Sequence, residues 1–297
     1  MRRAVLLGIL LTAGAIGIAA QQPPAGGQAE QPQTATIEKL KDNLFVIKGG
    51  GGNTAAFVTS TGVVIVDTKL AGWGQRIMDQ IRSVTDKPVT TIINTHTHGD
   101  HTGSNEFFPA SVEVVAQENT KANMEKMDAF KGDKAQFLPD KTFKDKLTLF
   151  SGADQIDLYY FGAGHTNGDA VVVFKALRVA HIGDLFARKG TPLIDTNNGG
   201  SGVAYPETLK KAAGIKNVDT VITGHSTVMK WQDFVDYGEF NRLYLEHART
   251  SLAAGKTAEQ ALADFKLPEK FKDYNIAGGR GGPGGNFNVI FTELGKK

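Results

Sequence analysis

The stretch TIINTHTHGDHTGSN, from Thr91 to Asn105, constrains the fold of this chain more than any other. His96, His98, Asp100 and His101 fall within six residues, directly after an apolar, β-branched run. Neutral imidazoles and a carboxylate suit zinc or another first-row divalent ion, and a tight loop at a strand end turns several such side chains toward one point. A lone histidine is more often a hydrogen-bonded core or surface residue than a ligand. Four ligating side chains in one loop are not explained that way. The fold must therefore deliver this loop from the end of a buried strand, read here as Val89 to Asn94.

The chain has 297 residues, of which 41% are hydrophobic, so it has material for a sizeable core and is neither a disordered nor a fibrous sequence. Arg2 and Arg3 precede the uncharged stretch from Ala4 to Ala20, which ends in small residues. This pattern predicts a signal peptide over residues 1–20, cut near Ala19 or Ala20, and a periplasmic or secreted protein. The stretch is shorter than the roughly twenty residues a membrane anchor needs, and no Cys follows it for lipid attachment. With no Cys at all, disulfides, thiolate ligands and a thiol nucleophile are excluded. The formal charge of +2 equals the contribution of Arg2 and Arg3, so the processed chain is formally neutral and offers no basic surface for nucleic acid.

Residues 21–34, QQPPAGGQAEQPQT, read as a flexible leader that cannot bury enough apolar surface to order itself. Residues 35–297 then read as one domain. Strands are predicted at Asn43–Ile47, Thr54–Thr59 and Val63–Asp67, separated by Gly-rich or Ser/Thr-Gly turns. Trp73, Ile77, Ile81 and Val84 are spaced as one face of a helix. A strand at Val112–Ala116 leads into a helix through Met127. The second half repeats the alternation, with strands at Ile156–Phe161, Ala170–Phe174, Val179–Gly183 and Thr220–Thr223, and helices at Pro206–Ala213 and Phe234–Ala253. A final strand is expected at Phe287–Phe291, after a flexible glycine-rich loop at Gly278–Gly285. Strands alternating with helices define an α/β protein.

Three further polar residues lie at or just beyond apolar runs: His165 in GAGHTNGD, Asp184 in VAHIGDLF and His225 in TVITGHSTV. Strand ends are where α/β folds place their sites. The order HxHxDH, His, Asp, His resembles that of the metallo-β-lactamase superfamily, over nearly the whole chain after the leader. The resemblance implies a four-layer αβ/βα sandwich with a metal pair at one edge. It also implies that His96, His98 and His165 hold one ion, that Asp100, His101 and His225 hold a second, and that Asp184 bridges both. Asp100 is in addition the residue taken as catalytic. Two ions, zinc with iron or manganese as alternatives, would share one hydroxide that attacks a substrate carbonyl.

The Asp at 184 is similar to the glyoxalase II and lactonase-like branch, whereas many β-lactamases carry Cys there. The expected activity is hydrolysis of an ester, thioester or lactone, with β-lactam hydrolysis as the alternative. A second alternative is an oxidoreductase like the persulfide dioxygenases, which hold one iron through two His and an Asp. A third is a protein that keeps the ligands without catalysis. Asp67 is expected to steady the ligand loop, and Asp169 to do the same with less support. Tyr205 resembles a Tyr that touches substrate oxygen in lactonase-like relatives, but an aromatic packing role is preferred. Gly49–Gly52 reads either as a mobile loop over the metal mouth or as a loose hairpin. His181 and His247 are left outside the site. The expected partner is a small-molecule substrate, with no nucleic acid and no stable membrane anchor.

Overall fold

Runs such as Val63–Val66 and Val171–Phe174 carry no polar position, so each needs apolar cover on both faces. The computed structural model describes residues 34–276 and 282–295. The expected signal peptide, the leader up to residue 33 and residues 277–281 of the glycine-rich stretch lie outside them.

Two sheets supply one half of that cover. The first runs β1 (Thr36–Lys41), β2 (Leu44–Lys48), β3 (Thr54–Val58), β4 (Val63–Val66), β5 (Val89–Asn94), β6 (Glu113–Gln117) and β7 (Lys141–Phe143), in that spatial order. The second runs β8 (Lys146–Leu149), β9 (Ile156–Tyr159), β10 (Val171–Phe174), β11 (Val179–His181), β12 (Thr220–Ile222) and β13 (Met229–Lys230). Val46, Phe57, Val66 and Ile93 of the first pack with Leu158, Val172, Phe174 and Ile222 of the second in one buried core. Each such side chain, fully removed from water, contributes about 1.5–3 kcal/mol.

Helices supply the other half: α1 (Gly74–Arg82), α2 (Gly99–Thr102), α3 (Glu118–Met124), α4 (Tyr205–Ala213), α5 (Trp231–Ala253), α6 (Ala258–Asp264) and α7 (Asn286–Leu294). Because successive strand residues face opposite ways, Ile47, Ile65 and Ile92 meet Ile77 and Ile81 of α1 on the outer side. Val171 and Val173 meet Leu209, Phe240, Ala261 and Phe287 of α4, α5, α6 and α7 on the other. The result is the expected αβ/βα sandwich.

One element departs from expectation. Phe287–Phe291 is not a strand but lies within α7. Its β-branched content favours a strand locally, yet Phe287 and Ile290 recur at helical spacing and are buried together. Phe287 stacks on Tyr244 of α5 with ring centroids 4.3 Å apart, so tertiary packing overrides local propensity.

Strands β4, β5 and β6 are mutually parallel, as are β11 and β12. Their C-terminal ends release Asp67, the His96–His101 loop, Asp184 and His225, so a few parallel pairings gather residues far apart in sequence.

Candidate metal centre

The ligand set converges as two groups, each with its nitrogen and oxygen atoms within 4.8 Å of one another: His96, His98, His165 and Asp184, then Asp100, His101 and His225. In the first group, the His98 Nε2 lies 2.7 Å from Asp195 Oδ2, and His165 Nδ1 lies 2.8 Å from the Leu193 carbonyl. Each of these nitrogens therefore carries the proton, which leaves a lone pair on His98 Nδ1 and on His165 Nε2. Those two lone-pair atoms face each other at 2.9 Å. Two acceptors at that distance repel unless a cation draws both.

His96 completes the pattern. Thr95 Oγ1 donates to Asp67 Oδ2 and so accepts from His96 Nδ1 at 3.0 Å, leaving His96 Nε2 buried without any hydrogen-bond partner. Asp184 Oδ1 is likewise buried without a directed hydrogen bond, although the Nε2 atoms of His225 and His101 stand only 3.2 and 3.4 Å away. Buried polar atoms are seldom left this way, since each costs about 1–3 kcal/mol. Two orphaned ligand atoms and a facing pair of lone pairs fit a bound cation. The residues present thus fit the metal ions that the donor chemistry implies.

In the second group, His101 Nδ1 donates to Asp67 Oδ2 at 2.6 Å, and Asp67 also accepts from the Thr95 backbone. His101 Nε2 then points into the site, 3.3 Å from His225 Nε2 and 3.4 Å from Asp184 Oδ1. Burial opposes charge on this imidazole, but the carboxylates of Asp67 and Asp184 prevail and raise its basicity. Asp100 Oδ2 lies 3.2 Å from His225 Nε2. Asp184 stands between the groups, with Oδ2 3.7 Å from His165 Nε2 and Oδ1 toward His101 and His225.

Burial strips His96 and His165 of their basicity, with His165 brought down to about 4, despite the opposing pull of Asp184. Burial also resists charge on Asp184, but the surrounding imidazoles, His101 foremost, outweigh it and hold the carboxyl well below its usual range. His225 is raised to about 9, because the adjacent carboxylates of Asp100 and Asp184, each 3.2 Å away, overcome its burial. Two glycines make this proximity possible. A Cβ at Gly224 would collide with Asp184 Oδ1, and one at Gly52 with the His101 ring.

The other singled-out residues sort clearly. Asp67 touches His101 directly. Asp169 reaches no ligand side chain; it accepts from Thr166 N and Oγ1 and from the backbone of His165, so steadies the turn that carries this ligand, and burial lifts it to about 7. Tyr205 is buried and donates to the Asp184 and Leu185 carbonyls, so its hydroxyl braces the bridging residue from behind. His181 donates to the Asn53 carbonyl, and His247 to that of Ala261, both away from the ligands. Gly49–Gly52 is held against the ligand loop, with Gly52 N donating to the Asp100 carbonyl.

Sequence reasoning missed Asp195 and Asn53. Asp195 sits in IDTNNGG, where it accepts from Asn197 N as a turn residue does, and only that turn signal is visible in sequence. Asn53 donates to the Thr223 and Ser226 carbonyls and so carries the His225 loop; nothing in its spacing marks it.

Residues 47–225 match the profile of the Metallo-beta-lactamase superfamily. The chain belongs to that superfamily, whose members are metal-dependent hydrolases. It is 29% identical over 215 residues to the "Metallo-beta-lactamase type 2" of Elizabethkingia meningoseptica, covering 66% of this chain and 80% of that one. It is also 29% identical over 168 residues to the "2,4-dinitroanisole O-demethylase subunit alpha" of Nocardioides sp. (strain JS1661), covering 54% and 49%. Among solved structures, DIM-1 metallo-beta-lactamase superposes with TM-score 0.60 at 19% identity, covering 70% of this chain and 97% of that one. The sec-alkylsulfatase Pisa1 from Pseudomonas sp. superposes with TM-score 0.73 at 14% identity, covering 89% and 51%. These likenesses establish the shared fold.

Proposed function

We propose that the chain is an exported hydrolase with two metal ions, zinc by ligand chemistry, that cleaves an ester, thioester or lactone. The carrying observation is Asp184, whose two oxygens address the two imidazole groups while Oδ1 lacks a directed hydrogen bond. A pair of divalent ions so held supplies a water acidified to near-neutral pKa and a charge that polarises the substrate carbonyl. His96, His98, His165 and Asp184 would hold one ion, and Asp100, His101, His225 and Asp184 the other.

The chain's own groups prepare that chemistry. Asp195 and Leu193 fix the tautomers of His98 and His165, so each presents a lone pair. Asp67 orients His101, whose basicity Asp67 and Asp184 raise despite its burial and whose Nε2 would shed a proton to bind an ion. Asp100 is held ionised: burial opposes this, but His225 and His101 prevail. It stands partly exposed, at 30%, where its oxygen would accept a hydrogen bond from, and so orient, an attacking water. Export rests on Arg2 and Arg3 followed by the uncharged run to Ala20.

β-Lactam hydrolysis is the second reading, favoured by the Elizabethkingia relative's name. The one-iron oxidoreductase is disfavoured by the complete second group of Asp100, His101 and His225. Assay of the zinc-loaded protein against aryl esters, lactones, thioesters and a chromogenic cephalosporin separates them. We expect kcat/KM above roughly 10⁴ M⁻¹s⁻¹ on an acyl ester, thioester or lactone; that efficiency on the cephalosporin alone overturns the preference.

A further inference from the structure

Asp67 and Lys69 both adopt left-handed backbone, with φ of 64° and 63°. For a residue other than glycine this costs roughly 1–2 kcal/mol. Asp67 offsets it through Thr95 and His101. Lys69 belongs to neither ligand group, yet it is fully buried. Its Nζ donates to the Ile47 and Gly52 carbonyls, each at 2.8 Å, and no carboxylate forms an ion pair with it among the described residues. A buried ammonium with two neutral acceptors is a poor way to stabilise a fold. Burial brings its pKa down to about 7 against the pull of Asp67.

What Lys69 joins is informative. Its own carbonyl accepts from Gly103 N at the end of α2, the helix that carries Asp100 and His101. Its side chain grips Gly52, whose N donates to the Asp100 carbonyl at 3.0 Å. The next residue, Asn53, donates from its backbone to Gly224 O at 2.7 Å and from its side chain to the Thr223 and Ser226 carbonyls, on either side of His225. The Lys69 side chain thus holds in place the Gly52–Asn53 segment, which ties the helix bearing Asp100 and His101 to the loop bearing His225. The first group is anchored elsewhere, through Thr95, Asp195 and Leu193.

We propose that Lys69 is a positioning residue: through Gly52 and Asn53 its side chain sets Asp100 and His225 against His101, and so governs metal affinity at the second group alone. This rests on the reading of Asp100, His101 and His225 as ligands. The test is cobalt(II) titration of the metal-free full chain, as wild type, Lys69→Met and Lys69→Asn. Competition with a chelator gives two dissociation constants, and visible spectra distinguish the three-imidazole from the two-imidazole set. Met keeps the stem without the cation; Asn tolerates a left-handed backbone and carries the comparison should the Met variant fail to fold.

In both variants the second ion is expected to weaken about 10–100-fold, the usual effect of losing an outer partner of a metal site, while the first stays within about twofold. The Tm of the metal-free protein is expected to hold or rise. Constants that weaken together with a lowered Tm, or that stay put while the wild type binds two ions, overturn the Lys69 assignment alone. A wild type that takes up fewer than two ions overturns the binuclear reading with it.

Discussion

The two ligand groups are built on different principles. His96 and His165 are wholly buried with their basicity lowered, and only His98 of that group is partly exposed, at 21%. Each imidazole of their group is locked by a partner outside the ligand set: Thr95, Asp195 or Leu193. In the second group the side chains of Asp100 and His225 are 30% and 23% exposed, and His225 is bonded mainly to other ligands. Preorganised neutral lone pairs in a dry pocket bind a cation without reorganisation. An exposed, partly protonated set must first give up protons. We therefore expect the first group to be the tighter anchor and the second the face offered to substrate.

The harshest way to break this division is Asp184→Asn, which keeps shape but removes the charge shared by both groups. Metal content should fall at both, and kcat/KM should drop roughly a thousandfold, equivalent to several kcal/mol of lost charge stabilisation. Two ions retained with unchanged turnover would refute bridging. The division is sharpened by pairing Asp195→Asn with Asp67→Asn. Asp195→Asn should weaken metal about 10–100-fold at the first group only, read by the same cobalt titration. Asp67→Asn should do so at the second group and, through the Thr95 bond that orients His96, weaken the first to a smaller extent. Equal weakening at both groups by either variant would dissolve the distinction. The smallest effect is expected from Tyr205→Phe. Loss of its bonds to the Asp184 and Leu185 carbonyls should cost about 1 kcal/mol, seen as a Tm lower by roughly 2–4 °C, with turnover within about twofold. A hundredfold loss of kcat at unchanged Tm would return this hydroxyl to the substrate.

Much of the scaffold was legible because binary pattern and burial agree. The runs VVIV and VVVF, β-branched, short and flanked by turn residues, read as interior strands and are buried on both faces, and Ile77 and Ile81 mark the inward face of α1. Legibility failed where local and tertiary preferences conflict, as in α7, or where elements are short and half-exposed. Strands β1, β7 and β8 went unread because their burial patterns mix exposed and buried positions without a clean alternation. The helix α6, opened by a capping box of Thr257 and Gln260, was also passed over, although its signal is present in sequence.

In the site, sequence alone determined which side chains have metal chemistry: the loop His96 to His101 declares itself by density, and His165, Asp184 and His225 by their place at apolar run ends. These are properties of residue type and local order. Only the tertiary structure decided which lone pairs face one another, that Asp184 stands between two groups, and that Asp195, Asn53 and Lys69 serve them. The reason is physical. Tautomers, orphaned atoms and backbone tethers depend on contacts such as Asp195 to His98, 97 residues apart, and Asn53 to Thr223, 170 apart, which exist only once two sheets have packed face to face.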